Sequence, residues 1–151
     1  MNQEAPVSAM EKNVYALLSI EQKDYESVFP NSGLAPRFVR CDAETKTLEL
    51  AFDLQPWMRN PAGLLHGGVT AILLDNTMGT AIAALFQAHT PTITMTINYV
   101  RPIPLDVTVH VRARVALEGR TASHLTAEIF LPDAPDRILA TATGVYYTKK
   151  A

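Results

Sequence analysis

The stretch Asn60–Phe86, NPAGLLHGGVTAILLDNTMGTAIAALF, decides the fold. Its first residues belong to a segment, Gln55 to Leu65, that holds Pro56, Asn60, Pro61 and Gly63 and therefore reads as a loop. From Gly67 to Phe86 the chain is apolar on nearly every side, the pattern of a helix wrapped by other structure rather than one lying on a surface. A membrane span is the rival for so apolar a run. It loses because His66, Thr70, Asp75, Asn76, Thr77 and Thr80 interrupt the run, and a charge at the bilayer midplane is costly.

The sequence on either side supplies the wrapping. Downstream, Thr92–Tyr99 alternates at period two, as do Val107 to Leu117, His124 to Leu131 and roughly Ile138 to Thr148. Gly119-Arg120 reads as a two-residue hairpin with glycine first, and Pro132 to Asp136 as a longer turn. Upstream, Thr47–Asp53 puts apolar residues on even positions, and Arg37 to Asp42 is a weaker strand candidate. The breakers Pro30, Asn31, Gly33 and Pro36 separate these strands from an amphipathic helix of about 8–24. That helix opens on a capping box, Ser8-x-x-Glu11, and carries Met10, Val14, Leu17 and Leu18 at helical spacing. Short connections make antiparallel neighbours, so the expected architecture is α+β: one antiparallel sheet around a long central helix, with an additional N-terminal helix. A single domain is expected over 1–151, with its core at about 33–148.

The chain has 151 residues, 13 basic and 15 acidic, for a net charge of −2. That balance lacks the electrostatic footprint of a nucleic-acid binder. The charge is uneven, however: residues 1–53 hold 5 basic and 9 acidic groups and residues 54–151 hold 8 and 6, so the second part is suited to a modest anion. The lone Cys41, between Arg40 and Asp42, has no partner for an internal disulfide and reads as a filler. With no basic-then-apolar leader in Met1-Asn2-Gln3-Glu4, a cytoplasmic location is expected. His66, His89, His110 and His124 lack ligand-like spacing, so no metal is expected. No Gly-x-Ser-x-Gly elbow is present for a serine hydrolase.

Two features carry chemistry. Gly67-Gly68 at a helix start leaves first-turn N–H groups without intrahelical partners, able to donate to a developing oxyanion; close packing of helix on sheet would also explain the glycines. Asp75, flanked by Leu73, Leu74, Met78 and Ala81, bears a desolvation cost that functional carboxylates often bear; a structural aspartate bonded to nearby backbone, Asn76 or Thr77 is the alternative. Nine residues separate His66 from Asp75, which at 100° per residue sets them on opposite helix faces and about 13 Å apart along the axis. One chain's helix start should not meet its own Asp75. If both act in one site, the simplest arrangement draws Asp75 from a second subunit across a two-fold axis.

The series Asn60-x-x-Gly63-x-x-His66-Gly67-Gly68, followed by Asp75 and by Thr92 to Pro102, resembles the hotdog-fold acyl-CoA thioesterases of the phenylacetic-acid-degradation (PaaI-like) type. The similarity runs from about Gly33 to Tyr147. It implies a thioester hydrolase that acts as a homodimer, with dimers pairing into tetramers. It implies that Asn60 and the Gly67 N–H polarise the thioester carbonyl, that the partner's copy of Asp75 serves as general base or nucleophile, that His66 orients loop and thioester, and that Thr92 holds the water. Coenzyme A is part of the substrate, and no separate cofactor is implied. Gly63, Gly68, Trp57, Arg101 and Arg120 are the substrate-binding candidates, Trp57 serving either to line the acyl pocket or to anchor its loop. Arg59, Arg112, Arg114, Lys149 and Lys150 are further candidates for the phosphates. His110, Arg112 and Arg114 share a strand face, however, which a solvated sheet surface also explains. Leu64, Leu65, Leu73, Leu74 and Phe86 are apolar enough to meet an acyl group. Met78 stands where relatives carry a small hydroxyl residue. A hotdog hydroxyacyl-thioester dehydratase or hydratase, and a non-catalytic acyl-thioester-binding scaffold, are the alternative functions.

Overall fold

The alternating segments of the sequence become one antiparallel sheet in the computed structural model, which describes residues 7–25 and 33–149. The elements are α1 (Ala9–Tyr25), β1 (Arg37–Asp42), β2 (Thr47–Asp53), α2 (Gly67–Phe86), β3 (Thr92–Tyr99), β4 (Thr108–Leu117), β5 (Ala122–Phe130) and β6 (Ala140–Tyr147). The six strands lie in the order β1-β2-β4-β5-β6-β3, so the first strand after α2 crosses to the far edge of the sheet. This six-stranded sheet with a long helix packed on it is the expected hotdog fold. Pro30 and Asn31, read as breakers, lie outside the described residues, as does Lys150.

Alternation decides which face meets α2. Leu48, Leu50 and Phe52 of β2, Val109, Val111 and Val115 of β4, and Leu125 and Ile129 of β5 are all buried on the inner face. Against them α2 buries Leu73, Leu74, Met78, Ala81 and Ile82. Each such aliphatic side chain contributes about 1.5–3 kcal/mol of burial. Register places Ala113, Ala127 and Ala142 side by side on β4, β5 and β6, and this row of methyl groups gives the helix room to lie close. The threonines that interrupt α2 are satisfied inside it: Thr77 Oγ1 donates to Leu73 O at 2.9 Å and Thr80 Oγ1 to Asn76 O at 2.8 Å. Packing on the sheet thus accounts for a helix that is, by length and composition, apolar enough to cross a membrane.

Two local expectations are adjusted. The capping box at α1 is half formed, with Ser8 Oγ accepting the Glu11 N–H at 3.1 Å. The β4–β5 connection is four residues, Glu118 to Thr121, rather than a two-residue turn on Gly119-Arg120, because a bulge between Val115 and Leu117 shifts the register. Gly119 is required there for another reason: a Cβ would stand 1.8 Å from Ala122 O.

The outer sheet face is not a plain solvated stripe. Glu49, only 5% exposed, accepts from Arg40 and Arg112 and pairs with His110 Nδ1 at 2.8 Å, while the Arg112 guanidinium lies 4.4 Å from the centroid of the Phe130 ring. Burial acts to raise the Glu49 carboxyl, but the hydrogen bonds from His110, Arg40 and Arg112 outweigh it and hold the group below its ordinary range.

Candidate active site

The loop before α2 is built around Asn60. A 3-10 turn at Pro56–Met58 buries Met58 completely, and the Met58 carbonyl accepts the His66 N–H at 2.8 Å, closing the loop. Inside it, Asn60 Oδ1 accepts the N–H groups of Ala62 (2.9 Å) and Leu64 (3.1 Å), an arrangement that aspartate or asparagine makes readily in turns. Gly63 turns the loop with φ of +81°, a left-handed conformation that favours glycine. With Oδ1 engaged, the Asn60 Nδ2 amide is the group available as a donor. His66 is the N-cap of α2, its Nδ1 accepting the Gly68 N–H at 2.9 Å. The Gly68 donor, expected to serve the substrate, is therefore spent on the cap, and Gly67 carries the neighbouring first-turn N–H. Tyr99 Oη donates to Gly67 O at 2.9 Å and pins this end of the helix to β3. Asn60, Leu64, Leu65, Gly67, Tyr99 and Arg101 are among the residues lining a cavity of about 370 Å³ here.

Asp75 lies two turns further along α2, half-buried. Its Oδ1 accepts from Thr92 Oγ1 at 2.8 Å and from Tyr146 Oη at 2.7 Å. Both donors come from neighbouring positions of one ladder, since Thr92 on β3 pairs with Tyr146 on β6. Burial first, then the hydrogen bond and charge of Asp75, push the Tyr146 phenol far above its ordinary value, so it is protonated and donating throughout the neutral range. Two packing relations hold the ring: a Cβ on Gly144 would stand 2.8 Å from Tyr146 Cε2 and 3.2 Å from Met78 Cε. Met78 thus faces the core beneath Tyr146. Asp75, Gly79, Thr92 and Tyr146 line a cavity of about 250 Å³ that shares no residue with the cavity at Asn60. Eight residues of helix separate Gly67 from Asp75, about 12 Å along the axis. The structure brings Thr92 to Asp75 and Asn60 to Gly67, and keeps the two pairs apart.

The remaining candidates divide between these places. Arg101 lines the Asn60 cavity and its guanidinium donates to Ile138 O. Arg120, exposed in the β4–β5 connection, lies at the opposite end of the sheet, where Thr121 O accepts the Thr148 N–H just beyond Tyr146. Trp57 sits over Gly33, where a Cβ would be 2.6 Å from its ring, and so anchors the loop rather than lining either cavity. Leu64 and Leu65 line the first cavity, whereas Leu73 and Leu74 are fully buried in the core and line neither cavity. Arg112 is committed to Glu49 and Glu128 on the outer face, away from α2. Burial, then the charges of Glu11 and Asp42, raise the Cys41 thiol to about 11, in keeping with a filler. Tyr146 went unread in the sequence because an aromatic in an alternating strand signals only packing.

These features have counterparts in known proteins. The model of the thioesterase superfamily matches residues 62–137. Acyl-coenzyme A thioesterase THEM4 of Xenopus laevis is 36% identical over 70 residues, covering 46% of this chain and 31% of the relative, so the chain spans less than a third of that protein's length. The E. coli PaaI protein from the phenylacetic acid degradation operon superposes with a TM-score of 0.77 at 18% identity, covering 97% of this chain and 98% of that one. A hypothetical thioesterase protein from Streptococcus pneumoniae, solved with coenzyme A, superposes with a TM-score of 0.63 at 20% identity over 69% of this chain and 84% of its own. The fold and site define a hotdog-fold domain. The chain belongs to the thioesterase superfamily.

Proposed function

We propose that the chain hydrolyses an acyl-CoA thioester to the free acid and coenzyme A, at a site assembled from two copies. The observation that carries this reading is the split itself: donors without an acid at one end of α2, and an acid with its positioning hydroxyls two turns away. The names of the matched relatives and the coenzyme A complex of one structural neighbour support the substrate class. A second copy also suits β3, which pairs only with β6 among the described residues and ends in exposed Tyr99 and Val100, with Ile93 56% exposed. Joining two β3 edges antiparallel would extend the sheet and bring one protomer's Gly67 toward its partner's Asp75.

In this mechanism the thioester oxygen sits between the Gly67 N–H and the Asn60 amide, which strengthen their bonds as negative charge develops. Asp75 is the general base. Its Oδ1 is already occupied by Thr92 and Tyr146, so Oδ2 takes the proton from water as the water oxygen bonds to the carbonyl carbon. The tetrahedral intermediate collapses by breaking the carbon–sulfur bond and releasing the thiolate of coenzyme A. Thr92 retains lone pairs with which to accept from that water. His66 Nδ1 is spent on capping α2, and among the described residues no acidic side chain is bonded to the ring, as a dehydratase histidine would need.

The test is thiol release from a panel of aryl and short-, medium- and long-chain acyl-CoAs. Asp75→Asn is expected to cut turnover at least about a hundredfold, and equal rates would remove Asp75 from the mechanism. Mixing inactive Asn60→Ala and Asp75→Asn chains is expected to restore activity in mixed dimers. Verified mixed dimers without activity would refute the shared site.

A further inference from the structure

The cavity at Asp75 continues beyond it. Leu17, Gly79, Ala83 and Thr90 line it and also line a second cavity of about 650 Å³ that runs along α2 to Gln87, with Asn13 of α1 on its far side. The Asn13 amide donates to Ala84 O at 2.8 Å, which fixes α1 over α2 as a wall rather than a loose cover. The floor is a helix face that falls away from the carboxylate: Asp75, then Gly79 one turn on, then Ala83 one turn further. Glycine costs helix stability relative to alanine, and at Gly79 the packing does not ask for it. A Cβ there would meet only Tyr146 Cε1, at 3.9 Å, in ordinary contact. By contrast, Gly33, Gly119 and Gly144 are each pressed by a neighbouring atom at less than 3.0 Å. The space left by Gly79 therefore belongs to the groove.

We propose that this α1–α2 groove is the acyl-chain subsite, that it takes a straight aliphatic chain, and that Gly79 and Ala83 set the length accepted. The proposal rests on the reading above that Asp75 works beside the thioester carbonyl. The occupant follows from continuity: a chain leaving the carbonyl at Asp75 enters the groove past Gly79 without crossing any element. From Asp75 to the level of Ala83 is about 12 Å of helix, the reach of roughly nine extended carbon–carbon bonds. A trough of this length suits an unbranched chain of about eight to ten carbons better than one aromatic ring. Beyond it, Gln87 and Ala88 are exposed, so further methylenes pass into water and add nothing.

Two series test this on the purified full chain. In the first, kcat/KM for straight-chain acyl-CoAs is expected to rise by up to about fourfold per added methylene and to level off near ten carbons, with benzoyl- and phenylacetyl-CoA below the plateau. The second measures the affinity of non-hydrolysable S-alkyl-coenzyme A thioethers by calorimetry, and is expected to follow the same length dependence. Gly79→Val should end the rise at about four or five carbons, and Ala83→Leu at about eight, the lengths of one and two turns of α2. Gly79→Ala, which adds one methyl in open space, is the variant to use if Gly79→Val does not fold. Affinity that is flat with alkyl length, an aryl preference, or cut-offs unmoved in both variants would overturn the proposal. A shift in oligomeric state with an unmoved cut-off would overturn it too and assign the vacancy at Gly79 to a partner helix. If no acyl-CoA is hydrolysed but the thioethers show the length cut-offs, the hydrolase reading fails and the groove stands.

Discussion

Replacing Tyr146 by phenylalanine removes a single oxygen from the structure, and its consequences separate positioning from packing. Tyr146 is 1% exposed, so the ring fills the same space in the variant and the core keeps its contacts with Met78 and Gly144. What is lost is the 2.7 Å bond to Asp75 Oδ1. A hydrogen bond to a charged group is worth about 1.5–3 kcal/mol. Thr92 still holds the same oxygen at 2.8 Å and water from the adjoining cavity replaces part of the remainder, so the net loss should be about 1–1.5 kcal/mol. Because that bond fixes the orientation of the carboxylate, kcat should fall about five- to tenfold while KM changes little. Thr92→Val should lower kcat in the same way, and the double variant further than either. The assay is thiol release by the preferred acyl-CoA at neutral pH, with folding checked by circular dichroism. An unchanged kcat, or a loss confined to KM, would refute positioning through Asp75.

Three further outcomes follow from the packing and charge arrangement. Gly144→Ala forces a methyl to within 2.8 Å of the Tyr146 ring, so it should destabilise the chain by about 1–3 kcal/mol in urea unfolding and lower kcat/KM as the ring shifts; unchanged stability would refute the close packing. Glu49→Gln should cost about 2 kcal/mol at neutral pH. Because the Glu49 carboxyl is held below its ordinary value of about 4.5, its contribution is complete above that value and lost as pH falls through the lower folded value. The gap between wild type and variant in thermal unfolding should therefore close on acidification, and a constant gap would count against the ionic account. With its thiol raised to about 11, Cys41 should react with a disulfide reagent at pH 7.5 on the order of a hundredfold more slowly than free cysteine, whereas equal rates would mean that burial does not govern it.

Much of the fold was legible because its signals are local. Gly67–Phe86 and Thr92–Tyr99 fall where breakers and alternation put them, since His66 can cap one and Pro91 precedes the other. The crossing of β3 to the sheet edge was not legible, because strand order depends on which faces are buried together. Which side of α2 lines a cavity was not legible for a related reason. A helix apolar all round hides which side meets the sheet, and Leu73 and Leu74 went to the core. The side facing the groove is marked instead by what it lacks, at Gly79 and Ala83. His110 and Arg112 read as members of a charged strand face, and only the pairing of β2 with β4 reveals that they surround Glu49 together with Arg40.

Within the site, legibility tracks desolvation cost. Asp75 stood out because a carboxylate in an apolar run demands an explanation, whereas Tyr146 stabilises that carboxylate while leaving no trace, since a tyrosine in a strand is at home with or without a hydroxyl partner. The helical period makes a firmer statement than either residue. Gly67 and Asp75 are held apart by an unbroken helix of 1.5 Å rise, and no loop motion shortens that distance. Asp75 lies two turns from the Gly67 and Asn60 donors and is held by two hydroxyls on one oxygen at the wall of its own cavity, and the proposed mechanism answers that separation with a carbonyl positioned by another chain. Under the proposed shared site, association is a condition of catalysis rather than an aid to stability. Dilution below the dimer dissociation constant should abolish turnover while each chain keeps its sheet and helices, and activity proportional to chain concentration through that range would place the whole site within one copy.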